Sequence, residues 1–191
     1  ALLPGSRKQE IQRMLEVMLA MVPLFPDYSF VLAGAPSMPE SFYKDIIAKT
    51  GAPDVKFTAN QTYQLLSVAK VALVTSGTAT LETALFRVPQ IVCYKGSNIS
   101  YQIARRIVNL KYISLVNLIV DAPLVRELIQ DEFNTDQLAR ELRLLLTETR
   151  QLEIQEGYTR LREILGNAGA SSRTAASIVV DLKQLPKKNN Y

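Results

Sequence analysis

Histidine is absent from this chain of 191 residues, and its single cysteine, Cys93, lies inside an apolar run. The absence of histidine excludes Ser-His-Asp triads and zinc motifs that need imidazole ligands. A single thiol excludes a disulfide framework and a cysteine-based metal site within the chain, and we expect Cys93 to be a small core residue. We therefore predict no metal site, and any acid–base chemistry depends on carboxylate, lysine or tyrosine side chains or on another domain.

Long apolar runs are also missing. No run approaches the roughly 20 residues of a membrane-spanning helix, and the first residues show no signal-peptide pattern. The net charge is +4, from 22 Lys and Arg against 18 Asp and Glu. This mild excess suits an anionic ligand such as a nucleotide, or an anionic membrane surface, whereas nucleic acid usually needs a clustered basic stripe. We expect a cytoplasmic domain without a nucleic acid partner.

Six short apolar runs that favour β-strands alternate with helical patterns. Strands are expected at Ala1–Leu3, Tyr28–Ala33, Val55–Thr58, Val71–Thr75, Gln90–Tyr94 and Tyr112–Leu115. Helices are expected along the apolar stripe from Ile11 to Val22 and at about 38–49, 61–69, 78–86 and 98–110. This alternation predicts an α/β fold with a doubly wound, six-stranded parallel sheet of Rossmann-like strand order 3-2-1-4-5-6. Because the first run reads as a strand already under way, we expect a domain cut from a longer protein.

Beyond residue 122 the pattern is helical only. Helices are expected at about 123–131, 136–148, 151–165 and 172–183. We therefore predict a Rossmann-like domain over residues 1–121 and a C-terminal helical segment over 122–185 packed on the same domain. The polar tail at 186–191 is expected to be disordered.

The loop after the first strand carries Gly5, Ser6 and Arg7. In the predicted strand order, this loop meets the loop after the fourth strand at the switch point where ligands bind. Gly5 permits close approach of the backbone, and Ser6 can cap the following helix with Gln9 as its return partner. Arg7 opposes the helix dipole, which favours a bound anion at this helix start. The alternative interpretation is a plain turn with an exposed arginine.

The loop after the fourth strand is a run of small hydroxylated residues around one glycine, from Thr75 to Thr80. Its backbone N–H groups and hydroxyls can cradle a diphosphate, and Glu82, about one helical turn later, can reach a ribose. The alternative is a helix cap followed by a buried glutamate. Neither a Walker A loop nor a G-x-G-x-x-G fingerprint is present, which argues against ATP hydrolysis and against NAD.

Several strings together resemble the lipid-A-disaccharide synthase family. They are LLPGSR at 2–7, SGTATLE at 76–82, YK at 94–95, KYISLVNLI at 111–119 and ELIQ at 127–130. The resemblance runs in order over essentially the whole chain. That family has the two-domain GT-B fold and transfers 2,3-diacylglucosamine from UDP to 2,3-diacylglucosamine 1-phosphate, which makes the lipid A disaccharide and UDP.

The resemblance implies that this chain is the C-terminal half, which binds UDP-2,3-diacylglucosamine as a substrate and needs no cofactor. The half that binds the acyl-glucosamine 1-phosphate acceptor, with the catalytic carboxylate, would lie outside this chain. The catalytic residue here is therefore unknown, apart from Arg7 as a stabiliser of the transition state. The family also implies a cytoplasmic location, with peripheral association of the full-length enzyme at the inner membrane as an option.

The resemblance also implies residue roles. Gly5, Ser6, Arg7, Ser76, Gly77, Thr78 and Thr80 would bind the donor diphosphate, and Glu82 the ribose. Phe57 and Thr58 would bind the base, as part of the segment 57–60 whose backbone would meet uracil. On the sugar side it implies Tyr94, Lys95, Asn117, Glu127 and Gln130. The sequence departs from the family pattern at Val116, where proline is usual, and we expect this to change the rigidity of the loop.

Two alternatives remain open at this point. One is another GT-B enzyme that uses a UDP-sugar, of the N-acetylglucosaminyltransferase or UDP-N-acetylglucosamine 2-epimerase type. The other is a non-catalytic nucleotide-binding module. A smaller ambiguity concerns Lys95, Arg105, Arg106 and Lys111, which form either a membrane or acyl-chain patch or the solvated edge of a core-facing helix.

Overall fold

The computed structural model describes residues 1–52, 54–96, 111–166 and 169–184. The strands are β1 (Leu2–Leu3), β2 (Val31–Gly34), β3 (Lys56–Ala59), β4 (Ala72–Thr75), β5 (Gln90–Tyr94) and β6 (Arg126–Ile129). The helices are α1 (Lys8–Leu19), α2 (Glu40–Thr50), α3 (Thr62–Val68), α4 (Thr78–Leu85), α5 (Leu115–Val120), α6 (Thr135–Leu145), α7 (Glu148–Leu165) and α8 (Ala170–Gln184). Single 3-10 turns stand at Val22–Leu24 and Gln130–Glu132.

The strands form one six-stranded sheet in the order β3-β2-β1-β4-β5-β6, with every pair parallel. This confirms the predicted doubly wound sheet and its strand order. β1 and β4 are neighbours, with Leu3 opposite Val74, although the chain runs from β1 to β2 first. The switch point therefore lies between β1 and β4, as the sequence predicts.

The sixth strand is not where the sequence places it. The run expected as a strand at Tyr112–Leu115 instead leads into α5, because the Ser114 hydroxyl accepts a hydrogen bond from the Asn117 N–H and caps that helix. β6 follows at Arg126–Ile129, so the helix expected at 123–131 is wrong. The sheet consequently continues past residue 121, into the segment that was expected to be helical only.

The other elements lie within a few residues of their predicted positions. The apolar stripe of α1 is buried as expected, through Ile11, Met14, Leu15, Met18 and Leu19. The helix predicted at 98–110, with Arg105 and Arg106, lies outside the described residues, as does the tail at 186–191.

Successive residues of β1 and β4 point to opposite faces of the sheet and belong to two apolar clusters, one on each face. Leu2 and Leu73 belong to the larger cluster, whereas their neighbours Leu3 and Val74 belong to the smaller one. The larger cluster also takes in the buried faces of α6 and α7, through Leu138, Leu142, Ile154, Tyr158 and Leu161. Both helices therefore pack on the same body as the sheet, and the carboxyl-terminal edge of the strands is left to the loops.

Candidate functional site

A cleft of about 830 Å³ lies at the carboxyl-terminal edge of the sheet, beyond the ends of β1, β2 and β4. Its position matches the ligand site of open parallel sheets, which lies outside the strand ends at the switch point. The structure brings together in its lining most of the residues predicted to bind diphosphate and ribose: Gly5, Ser6, Arg7, Ser76, Gly77, Thr78 and Glu82.

The first wall of the cleft is the loop between β1 and α1. Gly5 has φ of 102°, a conformation that side-chain-bearing residues rarely adopt, and the Glu10 side chain fills the space beside its Cα. The Ser6 N–H donates to Glu10 Oε2 at 3.2 Å, and the Ser37 hydroxyl donates to the Ser6 carbonyl at 2.8 Å. The loop is therefore fixed from both sides.

The helix cap of α1 differs from the expected one. Arg7, not Ser6, is the N-cap residue and makes no side-chain cap hydrogen bond. Because the helix begins one residue later than expected, the residue that reaches back to the loop is Glu10 rather than Gln9. Arg7 is exposed and forms no ion pair among the described residues.

The second wall is the loop between β4 and α4. α4 begins at Thr78 with Gly77 as N-cap and has no side-chain cap hydrogen bond. Ser76 lines the cleft, but its hydroxyl donates to the Ile113 carbonyl at 2.9 Å. Thr80 is buried and lies outside the cleft lining, and its hydroxyl donates to the Gly77 carbonyl at 2.8 Å. Thr80 therefore shapes the turn, and the N–H groups at the very start of α4 are left without an intrahelical acceptor.

One member of the predicted hydroxylated run is not among the residues that the resemblance implies for the diphosphate. Thr75, the last residue of β4, lines the cleft with only 3% of its surface exposed. Its buried hydroxyl has no hydrogen-bond partner among the described residues. The sequence predicts the run of hydroxylated residues, but burial at a strand end cannot be read from residue type.

These two walls bring two helix starts to the same cleft. Both α1 and α4 direct an N-terminus that lacks a side-chain cap towards the same cleft. The unpaired N–H groups of a helix start, together with the helix dipole, favour phosphate or carboxylate groups. Arg7 adds a guanidinium at the rim, so the cleft is suited to an anion with more than one phosphate.

The segment predicted to meet the base, residues 57–60, reaches the cleft only at Asn60. Phe57 packs against Tyr43, with ring centroids 5.3 Å apart, in the space that Gly34 leaves open. Thr58 donates its hydroxyl hydrogen to Gln61 Oε1 at 2.9 Å. Asn60, the last residue of the predicted segment, lines the cleft together with Tyr63 from the first turn of α3. Asn60 has φ of 57°, and asparagine in a turn before a helix was the available sequence signal.

None of the residues predicted on the sugar side lines this cleft, and three of them, Tyr94, Lys95 and Gln130, lie at the ends of β5 and β6. Tyr94 ends β5, with Lys95 exposed beside it. Gln130 follows β6 with φ of 54°, and its buried side-chain amide nitrogen has no partner among the described residues. These side chains share the carboxyl-terminal edge of the sheet with the cleft.

Asn117 and Glu127 are used within the protein. Glu127 Oε1 accepts hydrogen bonds from the Ser114 N–H, the Ser114 hydroxyl and Asn117 Nδ2, and its Oε2 accepts one from the Ile113 N–H. The Asn117 side chain also pairs with the N–H and carbonyl of Val125. Together they fasten the segment before α5 to the start of β6.

Comparison with known proteins identifies the family. The family model for lipid-A-disaccharide synthetase matches residues 1–180. The chain belongs to the lipid-A-disaccharide synthase family. The lipid-A-disaccharide synthase of Syntrophus aciditrophicus is 40% identical over 189 residues, covering 96% of this chain and 49% of that protein. That of Geobacter sulfurreducens is 32% identical over 183 residues, covering 93% and 47%, and that of Histophilus somni is 35% identical over 194 residues, covering 95% and 49%.

Membership of the lipid-A-disaccharide synthase family decides between the GT-B alternatives. The match sets aside an N-acetylglucosaminyltransferase of peptidoglycan synthesis and a UDP-N-acetylglucosamine 2-epimerase. The chain spans about half the length of the curated relatives it matches, 49% and 47% for the first two. Lipid-A-disaccharide synthases are glycosyltransferases of lipid A biosynthesis, and the matched half contains the six-stranded sheet and its cleft.

Val116, at the position where the resemblance implies proline, directly precedes Asn117 in α5. Val116 is the second residue of α5 and is fully buried. The first turn of a helix tolerates proline because its N–H groups have no intrahelical acceptor, so valine and proline both fit there. Asn117 keeps its hydrogen bonds to Val125 and Glu127 in the presence of valine.

The remaining expectations concern Cys93, metals and membranes. Cys93 is fully buried in the larger apolar cluster, and this burial raises the pKa of its thiol. Within the described ranges, no group of three or more His, Cys, Asp or Glu side chains is arranged to hold a metal ion. No helix in the described part of the chain is long and apolar enough to cross a membrane.

Proposed function

We propose that this chain is the donor-binding part of a lipid-A-disaccharide synthase and that it binds the UDP of UDP-2,3-diacylglucosamine in the cleft. The observation that carries the proposal is the meeting of two helix N-termini without side-chain caps, those of α1 and α4, in one cleft of about 830 Å³. A diphosphate carries the charge that such an arrangement favours. The family membership supplies the class of ligand.

In this proposal, the diphosphate lies between the two helix starts. The N–H groups of Gly77 and Thr78 and the Arg7 guanidinium are its donors, and the Ser6 and Thr78 hydroxyls stand at the same walls. Glu82, one turn into α4, accepts hydrogen bonds from the ribose hydroxyls. The uracil lies towards Asn60 and Tyr63, which line the side of the cleft next to β3.

The sugar would extend from the diphosphate towards the ends of β5 and β6. Tyr94, Lys95 and Gln130 stand at those ends. Bond cleavage moves negative charge onto the diphosphate, and preorganised donors that gain strength as charge develops lower the barrier. Helix starts and Arg7 supply this stabilisation without a metal ion. The acceptor, 2,3-diacylglucosamine 1-phosphate, and the catalytic carboxylate belong to the part of the protein beyond this chain, which would act at the inner membrane surface.

Titration of the chain with UDP, followed by amide NMR shifts, tests the proposal. We expect weak but specific binding, with the largest changes in residues 5–7 and 76–82. Uridine, which lacks the diphosphate, should bind much more weakly because it leaves both helix starts unpaired. A titration in which UDP perturbs neither segment, or in which uridine binds as well as UDP, would reject this site.

A further inference from the structure

Ser76 stands in the loop that would hold the diphosphate, yet its polar groups face away from the cleft. Its hydroxyl donates to the Ile113 carbonyl at 2.9 Å, and its N–H donates to the Cys93 carbonyl at 3.1 Å. Gly77 and Thr78, whose N–H groups begin α4, follow directly. The direction of those N–H groups therefore depends on where the Ile113 carbonyl lies.

The position of Ile113 is set in turn by Glu127. The Glu127 carboxylate accepts the N–H groups of Ile113 and Ser114 at 3.0 and 2.9 Å, and the Ser114 hydroxyl at 2.7 Å. Asn117, which is 1% exposed, donates to the same carboxylate at 2.9 Å and pairs with the Val125 backbone at 2.8 and 2.9 Å. A continuous series of hydrogen bonds thus connects β6 with the loop between β4 and α4.

The contacts of Glu127 favour a role in positioning other residues over direct binding of the ligand. Its two carboxylate oxygens already accept four hydrogen bonds from within the protein. Glu127 does not line the cleft that holds Ser76, Gly77 and Thr78. An effect of Glu127 on diphosphate binding would therefore have to pass through Ile113 and Ser76.

We propose that Glu127, held by Asn117, is a positioning residue for the donor diphosphate. It fixes the Ile113 carbonyl, which orients Ser76 and with it the N–H groups of Gly77 and Thr78. This inference rests on the proposed function, because it assigns the UDP site a structural support on β6. It differs from a direct contact of Asn117 and Glu127 with the donor sugar, since UDP alone lacks the transferred glucosamine and its binding would be unaffected by the loss of such a contact.

A double-mutant cycle on UDP affinity tests the inference in the 191-residue chain. Glu127→Gln places an amide among four donors and should weaken UDP binding by roughly threefold to twentyfold, in the range found for residues that act through a network. Ser76→Ala removes the last contact of the series and should weaken UDP binding to a similar extent. The double variant should bind UDP about as tightly as the single variant with the lower affinity, because both substitutions break the same connection.

Glu141→Gln is the matched control. Glu141 also contacts β6, through an ion pair of 3.2 Å with Arg126, and its side chain is 18% exposed, but none of its described contacts reaches Ile113 or Ser114. It should leave UDP affinity unchanged. In the absence of any ligand, Glu127→Gln should also shift the Gly77 and Thr78 amide resonances, whereas Glu141→Gln should not.

The outcomes separate this inference from the proposed function. If the wild-type chain does not bind UDP, the proposed function fails and this inference with it. If the wild type binds UDP and Glu127→Gln binds it equally well, or if the two single effects add in the double variant, the positioning role alone is overturned. Should Glu127→Gln fail to fold, Ser76→Ala decides: weaker UDP binding at an unchanged melting temperature supports the inference, and unchanged affinity rejects it.

Discussion

Arg7 is the residue whose place in the structure is least explained by the fold. It caps α1 without a side-chain hydrogen bond, is exposed, and has no ion-pair partner among the described residues. A cation at a helix N-terminus is locally unfavourable. A guanidinium at the rim of a diphosphate site would reverse that balance, because it can bind two phosphate oxygens at once.

Arg7→Ala in a full-length protein that contains this chain should lower the rate of transfer by about tenfold to a thousandfold, the range for losing a donor to developing charge. Arg7→Lys should recover only part of the loss, because lysine lacks the bidentate geometry. Steady-state kinetics with thermal melts would measure both. Arg13→Ala, at an exposed position on the same helix outside the cleft lining, is the control and should retain the rate. Near-normal turnover of Arg7→Ala would remove Arg7 from the site.

Cys93 makes the stability of the fold depend on pH in the alkaline range. Burial raises the pKa of its thiol above the ordinary value of 9.0, so the folded chain keeps the proton that the unfolded chain releases. A group whose ionised form is favoured only in the unfolded state lowers stability as pH rises through the unfolded pKa. The free energy of unfolding should therefore fall above pH 9. While Cys93 is ionised only in the unfolded state, the fall is about 1.4 kcal/mol for each pH unit.

Cys93→Ala isolates this contribution. Denaturant unfolding of both proteins under reducing conditions at pH 7.5 and pH 10 would give the two differences in free energy. We expect the wild type to lose about 1 kcal/mol more than the variant over this interval. Burial raises the pKa of Tyr158 as well, so Tyr158 also lowers the free energy of unfolding at alkaline pH. This effect is the same in both proteins and cancels in the comparison. Equal losses in wild type and variant would contradict the assignment to Cys93.

At the level of the elements, the sequence predicted β1 to β5 and α1 to α4 within a few residues, because apolar runs alternate there with clear helical stripes. β6 was missed because its four residues include Arg126 and Glu127, and an edge strand that is half exposed shows no apolar run. The apolar stretch before it looked like a strand, but Ser114 caps it as a helix. Local hydrogen bonding decided the outcome there, and periodicity alone does not report it.

The candidate site shows the same limit. The two loops at the switch point were predicted because glycine and hydroxylated residues follow adjacent strands. The direction of individual side chains was not predictable from residue type. The Thr80 hydroxyl turns into the protein, and Phe57 fills the space beside Gly34. The Glu127 carboxylate accepts backbone N–H groups from the segment before α5. Each of these depends on a contact with a residue distant in sequence or on a turn whose geometry the sequence leaves open.

Helix α7 contains a glycine at an interior position, Gly157, where helix propensity would favour alanine by about 1 kcal/mol. The structure supplies the reason, because a Cβ at Gly157 would collide with the Leu124 side chain from the segment before β6. Overpacking of this kind typically costs about 1–3 kcal/mol. We expect Gly157→Ala to be destabilising by about 1 kcal/mol in net terms.

The double variant distinguishes the two effects. When Leu124→Ala has removed the obstructing side chain, adding Gly157→Ala should stabilise the protein by about 0.5–1 kcal/mol, as propensity alone predicts. Urea unfolding of the wild type, both single variants and the double variant would measure the four free energies. If Gly157→Ala destabilises the chain equally with and without Leu124, the contact between α7 and the segment before β6 is not the cause.

At the level of the whole molecule, the apolar core and the proposed donor site occupy different parts of the sheet. The faces of the sheet bury the two apolar clusters, with α6 and α7 packed on the larger one. The carboxyl-terminal edge carries the cleft, formed by loops after β1 to β4. Substitutions in the cleft should therefore affect binding at little cost in stability, whereas the hydrogen-bonded series from Glu127 to Ser76 connects the two parts.

The last prediction concerns the chain on its own, which spans about half the length of its relatives, 49% of the Syntrophus protein. In our proposal the acceptor and the catalytic carboxylate lie in the other half. Catalysis needs the reacting atoms of donor and acceptor held about 3–3.5 Å apart in the right orientation, which contributes roughly 7–11 kcal/mol to lowering the barrier. A chain that holds only the donor loses that contribution. The 191-residue chain should therefore bind UDP yet release no UDP from UDP-2,3-diacylglucosamine above background when acceptor is supplied. Product analysis by mass spectrometry would show this, with a full-length protein that contains this chain as the positive control. Disaccharide formation by the chain alone would refute its assignment as the donor-binding half.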